Sequence, residues 1–155
     1  MSLSQSYKVG HSPDPDDAFM FHAMTTGAID TGGRKYEHVL LDIETLNKHA
    51  RNGDYEVSAV SIHSFPEISD KYHLMNCGAS MGEGYGPMII SNREMEIEEA
   101  KNLVFAIPGV GTSAYLALRL ALGDVKYEVV PFDEIMPAVQ TVSYTHLTLP
   151  TTEAV

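Results

Sequence analysis

Residues 12–21, which read Ser-Pro-Asp-Pro-Asp-Asp-Ala-Phe-Met-Phe, constrain the fold of this chain more than any other stretch. They follow a short apolar strand at residues 7–9, so the pattern predicts a strand, a proline-stiffened turn and the start of a helix. Asp14 is a good N-cap, whose carboxylate is expected to accept the unpaired backbone N–H groups of the first turn. The helix is expected to run to Thr26, with Gly27 as its stop.

The two acids that follow, Asp16 and Asp17, admit two interpretations. In the first they only stabilise the helix, because the positive end of the helix dipole favours negative charge in the first turn. In the second the turn lines a ligand cleft, because ligands of open α/β sheets bind outside the carboxyl ends of the strands. The residues alone leave both open.

Strand and helix patterns alternate along the rest of the chain. Further strands are predicted at residues 36–41, 57–61, 72–77, 88–91, 103–107 and 127–131, with helices at 43–52 and 114–122 and a last helix reaching residue 140. Asp42 is expected to cap the first of these helices and Gly53 to end it. The alternation indicates βαβ units and a largely parallel sheet, which is an α/β fold.

Composition and charge exclude several classes of function. The chain has 155 residues, enough for one sizeable core or two small lobes, and its 44% hydrophobic content is that of an ordinary globular protein. No apolar run approaches the roughly 20 residues that span a bilayer, and the N-terminus lacks the apolar core of a secretion signal, so a cytoplasmic location is expected. Ten basic and 21 acidic residues give a net charge of −11, which disfavours nucleic acid and anionic membranes as partners. The single cysteine, Cys77, excludes an internal disulfide.

The loop at residues 108–113, Pro-Gly-Val-Gly-Thr-Ser, is the strongest local indication of a binding site. Thr112 and Ser113 open a helix, so free backbone N–H groups and two hydroxyls converge where a carboxylate or phosphate could bind. The loop lacks the lysine and the spacing of a nucleotide-binding P-loop. A glycine turn with a simple threonine or serine cap explains the same residues.

The other polar residues are weaker indications of a binding or metal site. Ser58 and Ser61 bracket the end of a predicted buried strand, where a cleft would be lined, although such hydroxyls usually bond to nearby backbone. The aspartates at 14, 16 and 17 lack a supporting histidine pair or second acidic cluster, and the seven histidines are scattered without metal-ligand spacing. No metal or other cofactor is therefore expected, although any one histidine could serve as a general base.

Six motifs together resemble one family of enzymes. They are Gly-His-Ser-Pro-Asp-Pro-Asp-Asp-Ala-Phe-Met-Phe at residues 10–21, Asp-Ile-Glu-Thr-Leu-Asn at 42–47, Val-Ser-Ile-His at 60–63, Gly-Glu-Gly-Tyr-Gly-Pro at 82–87, Ile-Pro-Gly at 107–109 and Pro-Phe-Asp-Glu-Ile at 131–135. Their order and spacing over about residues 7–140 resemble the 1,4-dihydroxy-6-naphthoate synthase family of the futalosine route to menaquinone.

This resemblance implies a type II periplasmic-binding-protein-like fold with two α/β lobes that close on a ligand. Residues 1–91 would form the first lobe, which is incomplete without a C-terminal return, and residues 92–140 would begin a truncated second lobe. Residues 141–155 are threonine-rich, with neither a helical period nor a convincing strand, and are expected to be an unrelated tail.

The resemblance also implies a lyase that cleaves cyclic dehypoxanthine futalosine to 1,4-dihydroxy-6-naphthoate and dihydroxyacetone. Matched position by position, the substrate-binding candidates are Ala59, Val60, Ser61, Thr112 and Ser113, with Asp14 from the opening motif. The family's catalytic histidine ends a Gly-x-Val-Asp-Ala-Gly-Leu-Ile-Ile-His segment and would fall near position 151, where this chain has Thr151. No catalytic residue is therefore assigned, and impaired activity is expected.

Two other functions are compatible with the same residues. A solute-binding module of this fold would hold a small carboxylate without chemistry. Chorismate dehydratase, from the same pathway, shares the fold and also acts on a carboxylate. All three hypotheses expect a small-molecule carboxylate as the partner and leave the oligomeric state open.

Overall fold

The structure is a computed structural model that describes residues 6–84, 86–141 and 144–148. Its contacts divide the chain into two compact units, Met1–Met81 and Gly82–Val155. Two parts of the predictions lie outside the described residues. They are Tyr85 of the glycine-rich motif and, in the predicted tail, residues 142, 143 and 149–155, which include Thr151.

The first unit is built on a three-stranded parallel sheet. Its elements are β1 (Ser6–His11), α1 (Pro15–Thr25), β2 (Lys35–Leu40), α2 (Ile43–Asn52), β3 (Val57–Ser58) and a 3₁₀ helix (Ile62–Glu67). The strand order is β2-β1-β3, and both pairings are parallel, with Val9 opposite His38 on one side and Val57 on the other. The predicted βαβ organisation of this unit is confirmed.

Helix α1 begins where the sequence predicts, but its N-terminus is bonded differently. Asp14 is the N-cap residue, yet its side chain accepts no first-turn N–H and instead accepts the Ser12 hydroxyl at 2.9 Å. The expected capping bond of Asp14 is therefore wrong, because its carboxylate is already bound to the preceding hydroxyl. Asp17 reaches back and accepts the Ser12 backbone N–H at 2.6 Å. The stop is confirmed, since Gly27 follows the helix with a φ of +70°.

Helix α2 follows its prediction at both ends. The Asp42 carboxylate accepts the Thr45 N–H at 2.9 Å, and Gly53 ends the helix in the left-handed conformation at φ +77°. Leu46 and Ala50 are fully buried on the side of α2 that faces the sheet. These features are local in sequence, which is why the pattern predicts them.

The second unit contains a mixed four-stranded sheet. Its elements are β4 (Met88–Ile90), α3 (Ile97–Ala100), β5 (Val104–Ile107), α4 (Ser113–Leu122), β6 (Lys126–Val129), a 3₁₀ helix (Phe132–Glu134), α5 (Ile135–Thr141) and β7 (Tyr144–Thr148). The strand order is β4-β7-β5-β6, with β7 parallel to β5 and antiparallel to β4. Phe105 and Ile107 of β5 pack with Tyr115 and Leu118 of α4 in the core.

Three predicted elements differ from the structure. The expectation that residues 141–155 contain no strand is wrong, because Tyr144–Thr148 pairs between two other strands. Such pairing is a tertiary effect that local patterns underestimate. No strand forms at residues 72–77, and β3 ends at Ser58 rather than at residue 61. In the described ranges no helix is both long and apolar enough to cross a membrane.

Candidate functional site

The carboxyl ends of β1 and β3 form one edge of the first sheet. Because the two strands are parallel neighbours, the segments that follow them leave the sheet side by side. The Ala59 N–H donates to the Gly10 carbonyl at 2.8 Å and extends the pairing one residue beyond β3. The predicted binding segment 59–61 and the Asp14 turn therefore belong to the same edge.

Asp14 is half-buried in a small hydrogen-bonded turn. Its carboxylate accepts the Ser12 hydroxyl, and its own backbone N–H donates to the Ser12 hydroxyl oxygen at 3.2 Å. This turn fixes the direction in which the Asp14 carboxylate faces.

Ser61 is buried and is held by two hydrogen bonds to a single side chain. It is 8% exposed and precedes the 3₁₀ helix at Ile62–Glu67, while Ala59 and Val60 are half-buried. Its backbone N–H donates to Asn47 Oδ1 at 2.9 Å, and its hydroxyl oxygen lies 3.1 Å from Asn47 Nδ2. Asn47 comes from α2 and is fully buried.

Sequence reasoning missed this contribution of α2, although a signal was present. Glu44 and Asn47 lie three residues apart, on the same buried side of the helix as Leu46 and Ala50. Polar side chains on an otherwise apolar helix face are rarely buried without a partner. Their positions could therefore have indicated a buried polar network.

A pocket of about 330 Å³ lies in the first unit between α1 and β2. Its lining includes His11, Phe21, His22 and His38. The Phe21 ring stacks on His11 with centroids 4.3 Å apart. No local pattern in the sequence indicates this group, because β1, β2 and α1 each contribute part of it.

The His11 and His38 rings form a directional hydrogen-bonded pair. His11 Nδ1 lies 3.0 Å from the Ser12 carbonyl oxygen, which can only accept, so this nitrogen carries the proton. In the neutral pair His11 Nε2 then accepts from His38 Nδ1, 3.0 Å away. His38 Nε2 is buried and has no hydrogen-bond partner among the described residues. Burial, followed by the neighbouring His11, lowers the pKa of His38 below its ordinary value of 6.5.

The second unit places Thr112 and Ser113 at the carboxyl end of β5, where α4 begins. Thr112 is 1% exposed, and its hydroxyl donates to the Gly109 carbonyl at 2.7 Å and accepts the Tyr115 N–H at 3.2 Å. The simple-cap interpretation thus describes the Thr112 hydroxyl. Ser113, the first residue of the helix, is half-buried and is the better placed of the two side chains for a ligand.

Metal-ligating side chains do not cluster in the part of the chain that the structure describes. No group of three or more histidine, cysteine, aspartate or glutamate residues there could hold a metal ion. The described ends of the strands carry hydroxyls, backbone N–H groups and single carboxylates or imidazoles.

Curated proteins similar to this chain carry one common name. A protein from Thermus thermophilus is 34% identical over 136 residues, which cover 87% of this chain and 48% of that protein. A protein from Streptomyces coelicolor is 32% identical over 143 residues, or 88% of this chain and 50% of that protein. Both are named 1,4-dihydroxy-6-naphthoate synthase, and this chain spans about half their length.

Solved structures show the same fold. Protein AF1704 from Archaeoglobus fulgidus has a TM-score of 0.86 and 43% identity, over 93% of this chain and 53% of that protein. The ancestral amino acid-binding protein AncCDT-1 has a TM-score of 0.62 at 15% identity, over 93% of this chain and 70% of that protein. The expected type II periplasmic-binding-protein-like fold is confirmed.

The family-level match extends over almost the whole chain. The model of the menaquinone biosynthesis family matches residues 7–148, which include β7 and hence part of the predicted tail. With two curated relatives above 30% identity, the chain belongs to the menaquinone biosynthesis family.

Proposed function

We propose that this chain acts in the conversion of cyclic dehypoxanthine futalosine to 1,4-dihydroxy-6-naphthoate and dihydroxyacetone. The observation that carries the proposal is the match to two curated 1,4-dihydroxy-6-naphthoate synthases over 87% and 88% of the chain. The reaction would be a carbon–carbon lyase step, as the sequence resemblance implies. The cytoplasmic location and the division into lobes at residue 91 stay predictions.

The role of the described residues would be to bind and orient a carboxylate. In the first unit, Ser61 presents a hydroxyl at the carboxyl edge of the sheet, with Ala59 and Val60 beside it. In the second unit, Ser113 begins the ten-residue helix α4, whose first N–H groups favour an anion. The Thr112 hydroxyl would hold this helix start in place through its own cap rather than touch the substrate.

No residue of this chain is assigned as the base that removes a proton. Thr151 stands where the resemblance places the family's histidine. We therefore expect substrate binding with little turnover. The His11–His38 pair does not supply a replacement base in this proposal, because His38 Nε2 is buried.

The test is to titrate the full chain with cyclic dehypoxanthine futalosine and with chorismate, and to analyse both mixtures by mass spectrometry. Saturable binding of the futalosine derivative, at least about tenfold tighter than chorismate, supports the proposal. Formation of any 1,4-dihydroxy-6-naphthoate would identify the reaction directly. Chorismate consumption would instead indicate the dehydratase, and equal binding of unrelated small carboxylates would indicate a solute-binding module.

A further inference from the structure

We propose that the His11–His38 pair is a proton-sensitive switch that holds α1 and the Ser12 turn against the sheet at neutral pH and releases them in acid. The inference concerns the first unit alone and does not depend on the proposed function. It rests on where an added proton can lie in the pair, on what the pair holds in place, and on the pocket beside it.

An added proton always leaves a hydrogen on the same buried atom. In the neutral pair the Ser12 carbonyl fixes a proton on His11 Nδ1, and His38 Nδ1–H donates to His11 Nε2 at 3.0 Å. If the charge lies on His38, both nitrogens of that ring carry hydrogen. If the charge lies on His11, His38 Nδ1 becomes the acceptor and the hydrogen of the neutral His38 ring is on Nε2. Both forms therefore place an N–H at His38 Nε2.

That N–H has no acceptor in the part of the chain that the structure describes. His38 Nε2 is buried and unpartnered there, and a buried donor without an acceptor is unfavourable. Burial, followed by the neighbouring His11, also holds the pKa of His38 below its ordinary value of 6.5. The intact pair thus resists a proton that an exposed histidine would accept.

The pocket between α1 and β2 gives a charged His38 ring room to move. Its volume is about 330 Å³, and its described lining contains no aspartate, glutamate, lysine or arginine. Leu40 lines the same pocket and is 57% exposed, so the space opens to solvent. A His38 ring that turns into this space can donate to water from both nitrogens. Protonation therefore favours separated rings over the intact pair.

The pair also joins α1 to the two strands. The Phe21 ring of α1 stacks on His11 with centroids 4.3 Å apart and meets His38 edge-on at 5.9 Å. His11 Nδ1–H holds the Ser12 carbonyl at 3.0 Å, in the turn that precedes α1. Because His11 is only 3% exposed, separation of the rings also leaves its Nε2 without a donor. Loss of the pair therefore loosens the start of α1 as well as His38.

Other ionisable side chains lie around the pair on the packed elements. They are Asp14, Asp17 and His22 of α1 and its cap, Tyr7 of β1 and Tyr36 of β2. The two aspartates bind Ser12 rather than a histidine ring, and the two tyrosines stack on each other. Histidine is the side chain whose charge ordinarily changes between pH 5.5 and 7.5. His22 is therefore the group that a test must separate from His38.

The test follows amide hydrogen exchange and the histidine ring signals by NMR between pH 7.5 and 5.5. Exchange is expressed as protection factors, which remove the intrinsic effect of pH on the exchange rate. His38→Asn removes the proton-accepting ring, and His22→Gln removes the histidine that α1 contributes to the same pocket. Helix α2, whose start is capped by Asp42, is the internal control.

In the wild type, protection at the start of α1 should fall by about three- to tenfold at pH 5.5. Tenfold is the approximate limit for one histidine that regains its ordinary pKa on opening, one pH unit below that value. The nuclear Overhauser contact between the His11 and His38 rings should weaken over the same range. His22→Gln should behave like the wild type, whereas His38→Asn should show no pH-dependent loss in α1. Protection in α2 should not change.

Several outcomes would overturn the inference. One is a wild type in which His38 takes up a proton while the two rings stay in contact, a result that needs no variant to fold. Another is an equal loss of α1 protection in His38→Asn and the wild type, because a different group would then respond to pH. Equal losses in α1 and α2 would show unfolding of the whole unit rather than release of α1.

Discussion

The Asp17 carboxylate accepts the backbone N–H of Ser12 across the turn that joins β1 to α1, at 2.6 Å. Both residues are buried, at 8% and 6% exposure. The bond closes the turn on itself and holds the start of α1 against the end of β1. Asp17 thus has a structural role in the turn. The sequence alone allowed either helix stabilisation or ligand binding.

We expect Asp17→Ala to destabilise the chain by about 1–3 kcal/mol, because it leaves a buried N–H without an acceptor. Asp17→Asn retains an acceptor oxygen and should recover most of that loss. Asp16→Ala is the matched control on the same helix turn. The Asp16 carboxylate accepts an exposed bond from the Ser80 hydroxyl, and its loss should cost less than about 1 kcal/mol. Urea unfolding measures all three. Equal losses for the two alanine variants would refute the role of Asp17.

Gly10 of β1 lies against the side chains of Leu46 and Tyr55. A Cβ atom there would come within 2.8 Å of Leu46 Cδ2 and 2.9 Å of Tyr55 Cδ2. Gly10→Ala should therefore lower the free energy of unfolding by about 1–3 kcal/mol through overpacking. At Gly86 a Cβ would meet no atom of the described residues within 4 Å, so Gly86→Ala should be nearly neutral. A neutral Gly10→Ala would show that the two side chains can move aside.

The His38 imidazole makes stability depend on pH. Its pKa is lowered by burial and then by His11, so below about pH 6.5 the unfolded chain binds more protons at this position than the folded chain. The free energy of unfolding should therefore fall as the pH drops from 6.5 toward the lowered value. His11 and His22 line the same pocket as His38, so the wild type must be compared with a variant that lacks only His38. His38→Asn, which keeps a donor for His11, should lose less stability between pH 7.5 and 5.5 than the wild type. An identical loss in both proteins would contradict this assignment.

The Thr112 hydroxyl fixes the start of α4. Thr112→Val keeps the shape but removes the bonds to Gly109 and Tyr115, and should cost about 1–2 kcal/mol in urea unfolding. Thr112→Ser keeps the hydroxyl and should retain most of the stability. If the serine and valine variants were equally destabilised, the methyl packing rather than the cap would matter.

The sequence predicts those features whose partners are close in the chain. The Asp42 cap, the Gly53 stop and the alternation of strands and helices are set within a few residues, and the structure confirms them. The Asp14 bond was predicted wrongly because the Ser12 hydroxyl and backbone N–H compete with the first-turn N–H groups for the carboxylates of Asp14 and Asp17. Local preference cannot decide which of them bonds to which.

Features that depend on distant partners could not be predicted. Asn47 and Ser61 are 14 residues apart, and His11 and His38 are 27 apart. Only the register of the parallel strands brings the histidines together. Likewise β7 forms because β4 and β5 supply backbone partners on both sides. No periodic pattern in residues 144–148 predicts this strand.

Carboxylate recognition is tested most directly by comparing two ligands of the unmodified chain by isothermal titration calorimetry. One is 1,4-dihydroxy-6-naphthoate, and the other is 1,4-dihydroxynaphthalene, which has the same ring and hydroxyls but no carboxylate. If the hydroxyls and helix start recognise a carboxylate, the naphthoate should bind saturably and at least about tenfold more tightly, a difference of about 1.4 kcal/mol. Equal affinity for the two compounds, or no binding of the naphthoate, would contradict the proposed function.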